Sequence, residues 1–132
     1  MICYTTEALW RLDSKEFADV LERNLREKTL APDFRYPSVD ARRALAQLCA
    51  LTGRFEEARE WFDRARSVLE EQGARPLRAL VDFDEAWMGV RRGQQRERAL
   101  ALLGAARAQF EAIGMSGWVR RAEELRRDLG GW

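Results

Sequence analysis

Two stretches of this chain carry the same apolar pattern at a distance of 41 residues. Ala58, Phe62, Ala65, Leu69 and Gly73 align with Ala99, Leu103, Ala106, Phe110 and Gly114. Each set runs small, large, small, large, then glycine. Spacings of three and four put each set on one face of an α-helix and end it at a residue that closes helices. The small Ala residues let a partner helix approach closely, and the large residues fill the adjoining grooves. One hairpin cannot bury such a face alone, so neighbours must stack. Ala18, followed by Leu21 and Leu25, reads as a worn earlier copy.

The rest of the chain agrees with an all-α reading. Ala, Leu, Arg and Glu, all strong helix formers, are abundant, and β-branched residues are scarce. Asp13 with Glu16 three residues on makes a capping-box pattern, and Ser38 is a plausible N-cap for the next stretch. Gly53, Gly73, Gly93 and Gly114 each follow an apolar-periodic run, and Pro76 falls where a first helical turn tolerates it. These signals predict helices over about 3–12, 14–28, 38–52, 55–72, 75–92, 95–113 and 116–129. They pair as hairpins 3–28, 38–72 and 75–113, with 116–129 as a capping helix, in a single domain 1–132. The connection Thr29–Pro37 holds Pro32, Phe34 and Tyr36 and is expected to be an ordered strap.

Composition removes several function classes. The 132 residues include 23 basic and 22 acidic side chains, for a net charge of +1. That balance argues against a dedicated electrostatic binder of nucleic acid or anionic membrane. Histidine is absent, which removes His-based acid–base catalysis, Ser–His and Cys–His pairs and His metal sites. Cys3 and Cys49 show no metal spacing or disulfide framework, and Cys49 sits in an apolar helical pattern as a small core residue. The expected compartment is the reducing cytoplasm. Met1–Trp10 has no signal-peptide pattern, and no stretch approaches the ~20 apolar residues that span a bilayer. No phosphate-binding glycine loop occurs. These points imply no enzyme, no cofactor and no metal.

The segment Gly53-Arg54-Phe55-Glu56-Glu57-Ala58, followed by Phe62 and Ala65 and preceded by Leu45-Ala46, resembles a tetratricopeptide repeat. The likeness covers about residues 38–114. The 41-residue period is longer than that family's usual ~34, and Ala86-Trp87 reverses the large–small order. It implies a right-handed solenoid of about three helical hairpins plus the capping helix. A second likeness rests on Leu21–Lys28, Phe34-Arg35-Tyr36-Pro37, Gly73-Ala74-Arg75-Pro76 and Ile113-Gly114-Met115-Ser116-Gly117-Trp118. With Arg120-Arg121-Ala122-Glu123, these segments resemble the C-terminal helical tail of bacterial signal-transduction ATPases and adenylate/guanylate cyclase-type regulators. That resemblance implies a sensor or partner-binding array within a longer protein, and it carries no catalytic residue onto this chain.

Several residue groups stand out as candidates. In tetratricopeptide arrays the first helices line a groove that holds a peptide or a partner helix. The resemblance puts Asp40, Arg43, Gln47 and Ala50 on that groove in the middle hairpin, with Leu80, Phe83, Asp84 and Trp87 in the later one. Asp82, Asp84 and Glu85 form an acidic cluster, expected as a solvated face or as ion pairs to Arg75, Arg78 and neighbouring helices. Arg91, Arg92, Arg96 and Arg98, and then Arg120, Arg121, Arg126 and Arg127, form basic turns expected to be solvated surface. Trp10, Trp87 and Trp118 are expected in packing. Trp61 abuts Phe62, so one of the two is expected on an outer side.

The expected function is a protein–protein interaction scaffold or sensor module. Its partner would be a protein, a peptide or other domains of the same parent chain. Small-molecule sensing by aromatic walls and Arg is the alternative, as is a free-standing adaptor that pairs into a homo-dimer through an uncapped apolar end.

Overall fold

The computed structural model describes Thr6, Trp10, Arg11, Lys15 and residues 18–30, 41–93 and 95–130. Six helices are defined there: α1 (Ala18–Leu30), α2 (Ala41–Leu51), α3 (Phe55–Glu71), α4 (Arg75–Arg92), α5 (Arg96–Ile113) and α6 (Ser116–Gly130). Thr6, Trp10 and Arg11 are helical as well, and no strand occurs among the described residues. No described helix is long and apolar enough to cross a membrane.

The glycines end the helices as their spacing predicts. Gly73 (φ 67°) and Gly114 (φ 89°) take the left-handed conformation, which costs any side chain with a Cβ. Ala74 N–H then reaches the carbonyl of Leu69 at 2.9 Å, and Met115 N–H that of Phe110 at 2.8 Å. These bonds satisfy carbonyls that the helix end leaves open. Pro76 stands in the first turn of α4, where its missing N–H costs nothing. The start of α5 differs: Gln95, at φ 47°, is left-handed and caps the helix without a side-chain bond.

The observed bounds of α3 to α6 fall within a residue of those expected. The second predicted helix does not begin at residue 14, because Lys15 is not helical and α1 starts near Ala18, whose N–H bonds the Lys15 carbonyl at 3.1 Å. It also continues through Thr29 and Leu30, where the sequence predicts the strap. The caps at Asp13 and Ser38, and the strap over 31–37, lie outside the described residues.

Two compact units divide the chain, Met1–Ala65 and Arg66–Trp132. In the first, α1 packs on α2. Its buried apolar set includes Trp10, Ala18, Leu45, Leu48, Cys49, Ala58, Trp61, Phe62 and Ala65. In the second, α4 packs on α5, α5 on α6, and α4 also meets α6. Ala79, Phe83 and Ala86 of α4, Leu103, Ala106 and Phe110 of α5, and Ala122 and Leu125 of α6 form one core. All eight apolar positions of the two matching stretches are buried, none more than 3% exposed.

Candidate functional site

Helix α4 is buried around most of its circumference, and that sets the chemistry of the second unit. Ala79, Phe83 and Ala86 point into the core, while Val81, Asp84 and Met88 on another side are also buried. Asp82 and Glu85, one turn apart, share a buried flank of the helix. Carboxylates in such a place must be paired. Arg66 supplies the pairing: its Nε donates to Asp82 Oδ1 at 2.7 Å, and its Nη1 lies 2.9 Å from Glu85 Oε1. Arg98 of α5 donates from Nε to Glu85 Oε2 at 2.5 Å. Burial opposes the charge on Arg66. The hydrogen bond to Asp82 and the field of Glu85 outweigh it, and the guanidinium pKa is raised.

Of the two expected readings, ion pairs to neighbouring helices hold and the solvated face does not. The three carboxylates are interior, and the pairing arginines are Arg66 and Arg98 in place of Arg75 and Arg78. Arg75 instead donates to Gln109 Oε1 at 3.2 Å, and the buried Nε of Arg78 makes no hydrogen bond.

The expected groove positions separate. Gln47 and Ala50, expected to face outward, and Asp84, expected near the groove, are each only 1% exposed and line no open surface. Arg43 and Leu80 are half-buried, and Asp40 lies outside the described residues. Phe83 and Trp87 do come together, and with a residue that spacing did not connect to them. The Phe83 ring meets Trp118 of α6 edge-on, with centroids 5.4 Å apart at 79°, and lies 6.5 Å from Trp87. Phe110 backs the group at 6.2 Å from Phe83 and 5.7 Å from Trp118. Such ring pairs contribute about 0.5–1.5 kcal/mol each beyond the area they bury.

Trp87 and Trp118 stay half-buried. An arginine covers each: Arg91 lies 4.4 Å from the Trp87 centroid and Arg121 4.6 Å from that of Trp118. These two, expected as plain solvated surface, are therefore held on aromatic faces. Trp61 and Phe62 are both buried, contrary to expectation, because Arg26 and Arg64 cover the Trp61 ring at 5.6 and 4.7 Å.

The first unit holds a second polar cluster. Glu22 accepts from Arg26 Nε at 2.8 Å and from both terminal nitrogens of Arg54, with Nη1 at 2.8 Å. Arg26 and Arg54 also pair with Glu57. The hydrogen bond from Arg54 leads in holding the Glu22 carboxyl below its ordinary range, against the opposing effect of burial. Cys49 lies beside this group. Desolvation pushes its thiol up to about 11, so it remains protonated and unreactive. The donor atoms of Glu22, Cys49 and Glu57 lie within 4.8 Å of one another. The chemistry is poor for a metal, since two guanidinium groups already neutralise the carboxylates and the thiolate is disfavoured.

Surface hollows on the second unit are lined by charge. The one of about 640 Å³ is bounded by Arg107, Glu123, Arg126 and Arg127, with Arg107 Nη2 donating to Glu123 Oε1 at 2.9 Å. Another, about 150 Å³, lies beside Gly73, Arg75, Arg78 and Asp82. Neither has an aromatic wall, whereas a third, about 460 Å³, includes Phe110 and Val119 in its lining.

No protein-family model, curated protein or solved structure matches the chain.

Proposed function

We propose that this chain is a tetratricopeptide-like helical-repeat module whose work is to bind a protein partner. The observation that carries the reading is the repeat. Two sets of four apolar positions, 41 residues apart, are all buried, and each set ends at a left-handed glycine, Gly73 or Gly114. Repeats of this kind stack side by side and leave extended faces for partners. The finer reading is a right-handed solenoid of about three hairpins, with α6 as its cap. The resemblance to the tails of signalling ATPases and cyclases adds a role in regulation, as part of a longer cytoplasmic protein and without catalysis of its own.

The experiment is affinity purification of the tagged chain from source cells, then calorimetry of the purified chain with each enriched protein. A saturable one-to-one isotherm with at least one protein is expected. The reading fails if no enriched protein binds the purified chain directly.

A further inference from the structure

The second unit pairs most of its buried and bridging charges internally. Asp82 and Glu85 hold Arg66, Glu85 holds Arg98, and Glu123 and Glu111 hold Arg107. Arg91 and Arg121 stand apart from this economy. Both are exposed, both stack on an indole, and neither has a carboxylate partner among the described residues. The exposed carboxylate nearest in register, Glu124, is one turn from Arg121 and makes no ion pair with it.

Sequence spacing builds the arrangement. Phe83, Trp87 and Arg91 follow one another at four-residue steps along a single stripe of α4. Trp118 and Arg121 are three apart on α6. Packing of α4 on α6 then sets Trp118 against Phe83, so the two helices offer one surface. It presents guanidinium, indole, indole and guanidinium, with the buried Phe83 ring behind the two indoles.

From this we infer that the Arg-capped aromatic face of α4 and α6 docks an acidic, amphipathic segment of a protein partner. The inference rests on the partner-binding reading above and names the surface and the partner chemistry. Charge complementarity selects the occupant. A guanidinium stacked on a ring keeps its in-plane N–H donors directed outward and is already restrained, so it loses little freedom on taking a carboxylate in a bidentate fork. Two such forks flank an apolar strip, so the fitting segment carries carboxylates on either side of an apolar side chain. That side chain would lie against the half-buried edges of Trp87 and Trp118. Trp and Arg are also the residues most enriched among those that dominate binding energy at protein interfaces.

The test pans a displayed library of random 12-residue peptides against the intact chain. Selected peptides are then measured by fluorescence anisotropy on four proteins: wild type, R91E/R121E, R91K/R121K and a control, R96E/R126E. Arg96 and Arg126 are exposed arginines outside the stripe. The expected pool is enriched in Asp and Glu around an apolar residue. Its affinity should fall about tenfold or more in R91E/R121E, as loss of a charge-assisted contact requires. It should fall less in R91K/R121K and hold in the control, with unchanged helical circular dichroism throughout. Selected peptides that are not acidic, or that bind R91E/R121E as well as wild type, overturn the surface and leave partner binding standing. A library that yields no binder at all also overturns the surface, and the affinity purification above then decides partner binding on its own. A dT20 oligonucleotide measured alongside should bind weakly, and tighter binding that R91E/R121E abolishes would reassign the face to nucleic acid.

Discussion

Replacing Arg66 with methionine tests the energetics of the second unit most directly. The guanidinium holds Asp82 at 2.7 Å and Glu85 at 2.9 Å, and the side chains of all three are at most 13% exposed. Methionine fills similar space but leaves Asp82 buried beside no cation named in this network. Glu85 keeps Arg98 at 2.5 Å. Breaking a buried ion pair from one side costs about 3–5 kcal/mol. The retained Arg98 contact places Arg66→Met near the lower end, about 3 kcal/mol. For a chain of this size that lowers Tm by roughly 10 °C. Removing Asp82 together with Arg66, as R66M/D82L, discards the stranded charge and should recover a large part of the loss. Urea melts followed by circular dichroism measure both variants. A cost below about 1 kcal/mol for Arg66→Met would refute the argument. So would a double variant whose loss equals the sum of the two single losses.

Three further outcomes are expected. Gly104 lies inside α5 with ordinary helical geometry, and a Cβ there would meet nothing within 4 Å, so Gly104→Ala should stabilise the chain by about 1 kcal/mol in the same melts. A neutral or negative result would mean that this face of α5 is not open. In a Cys3→Ser chain, the buried Cys49 thiol should resist iodoacetamide at neutral pH until denaturant is added, as read by mass spectrometry. Arg54 holds the Glu22 carboxyl below its ordinary value of 4.5, so the folded state favours the ionised form. That stabilisation is complete above the unfolded pKa and is lost as pH falls through the folded one. Glu22→Gln should therefore flatten the loss of stability below about pH 4.5 in acid titrations, and an unchanged slope would refute the pairing.

How much of this was legible in the chain depends on whether the information is local. Helix ends were readable because a glycine after an apolar run leaves few backbone choices, and α2 to α5 end at such marks, Gly53, Gly73, Gly93 and Gly114. Burial of Ala58, Phe62, Ala65 and Leu69 and of their counterparts was readable because it needs only periodicity. The ion network was not. Twenty-one arginines present nearly equivalent partners to Asp82 and Glu85, and which one arrives depends on how helices cross. Groove positions failed for a related reason. Gln47 and Asp84 look polar and outward in sequence, but their helices are covered on more than one side, and no local signal marks that. Trp118 joined Phe83 and Trp87 through the α4–α6 contact, between helices separated along the chain by the whole of α5. The available hint was that all three are large aromatics on helices otherwise rich in charge.

The tight glycine turns also bear on how fast the chain reaches this state. Each closes within a few residues, as Ala74 to Leu69 and Met115 to Phe110 show. In the second unit α4 meets α5 and α5 meets α6, and even the Phe83–Trp118 contact joins helices separated by only one other. A topology built from such near neighbours loses little chain entropy before contacts begin to reward it. Folding of the second unit should therefore run on the microsecond-to-millisecond scale, with half-exposed Trp87 and Trp118 reporting it by fluorescence.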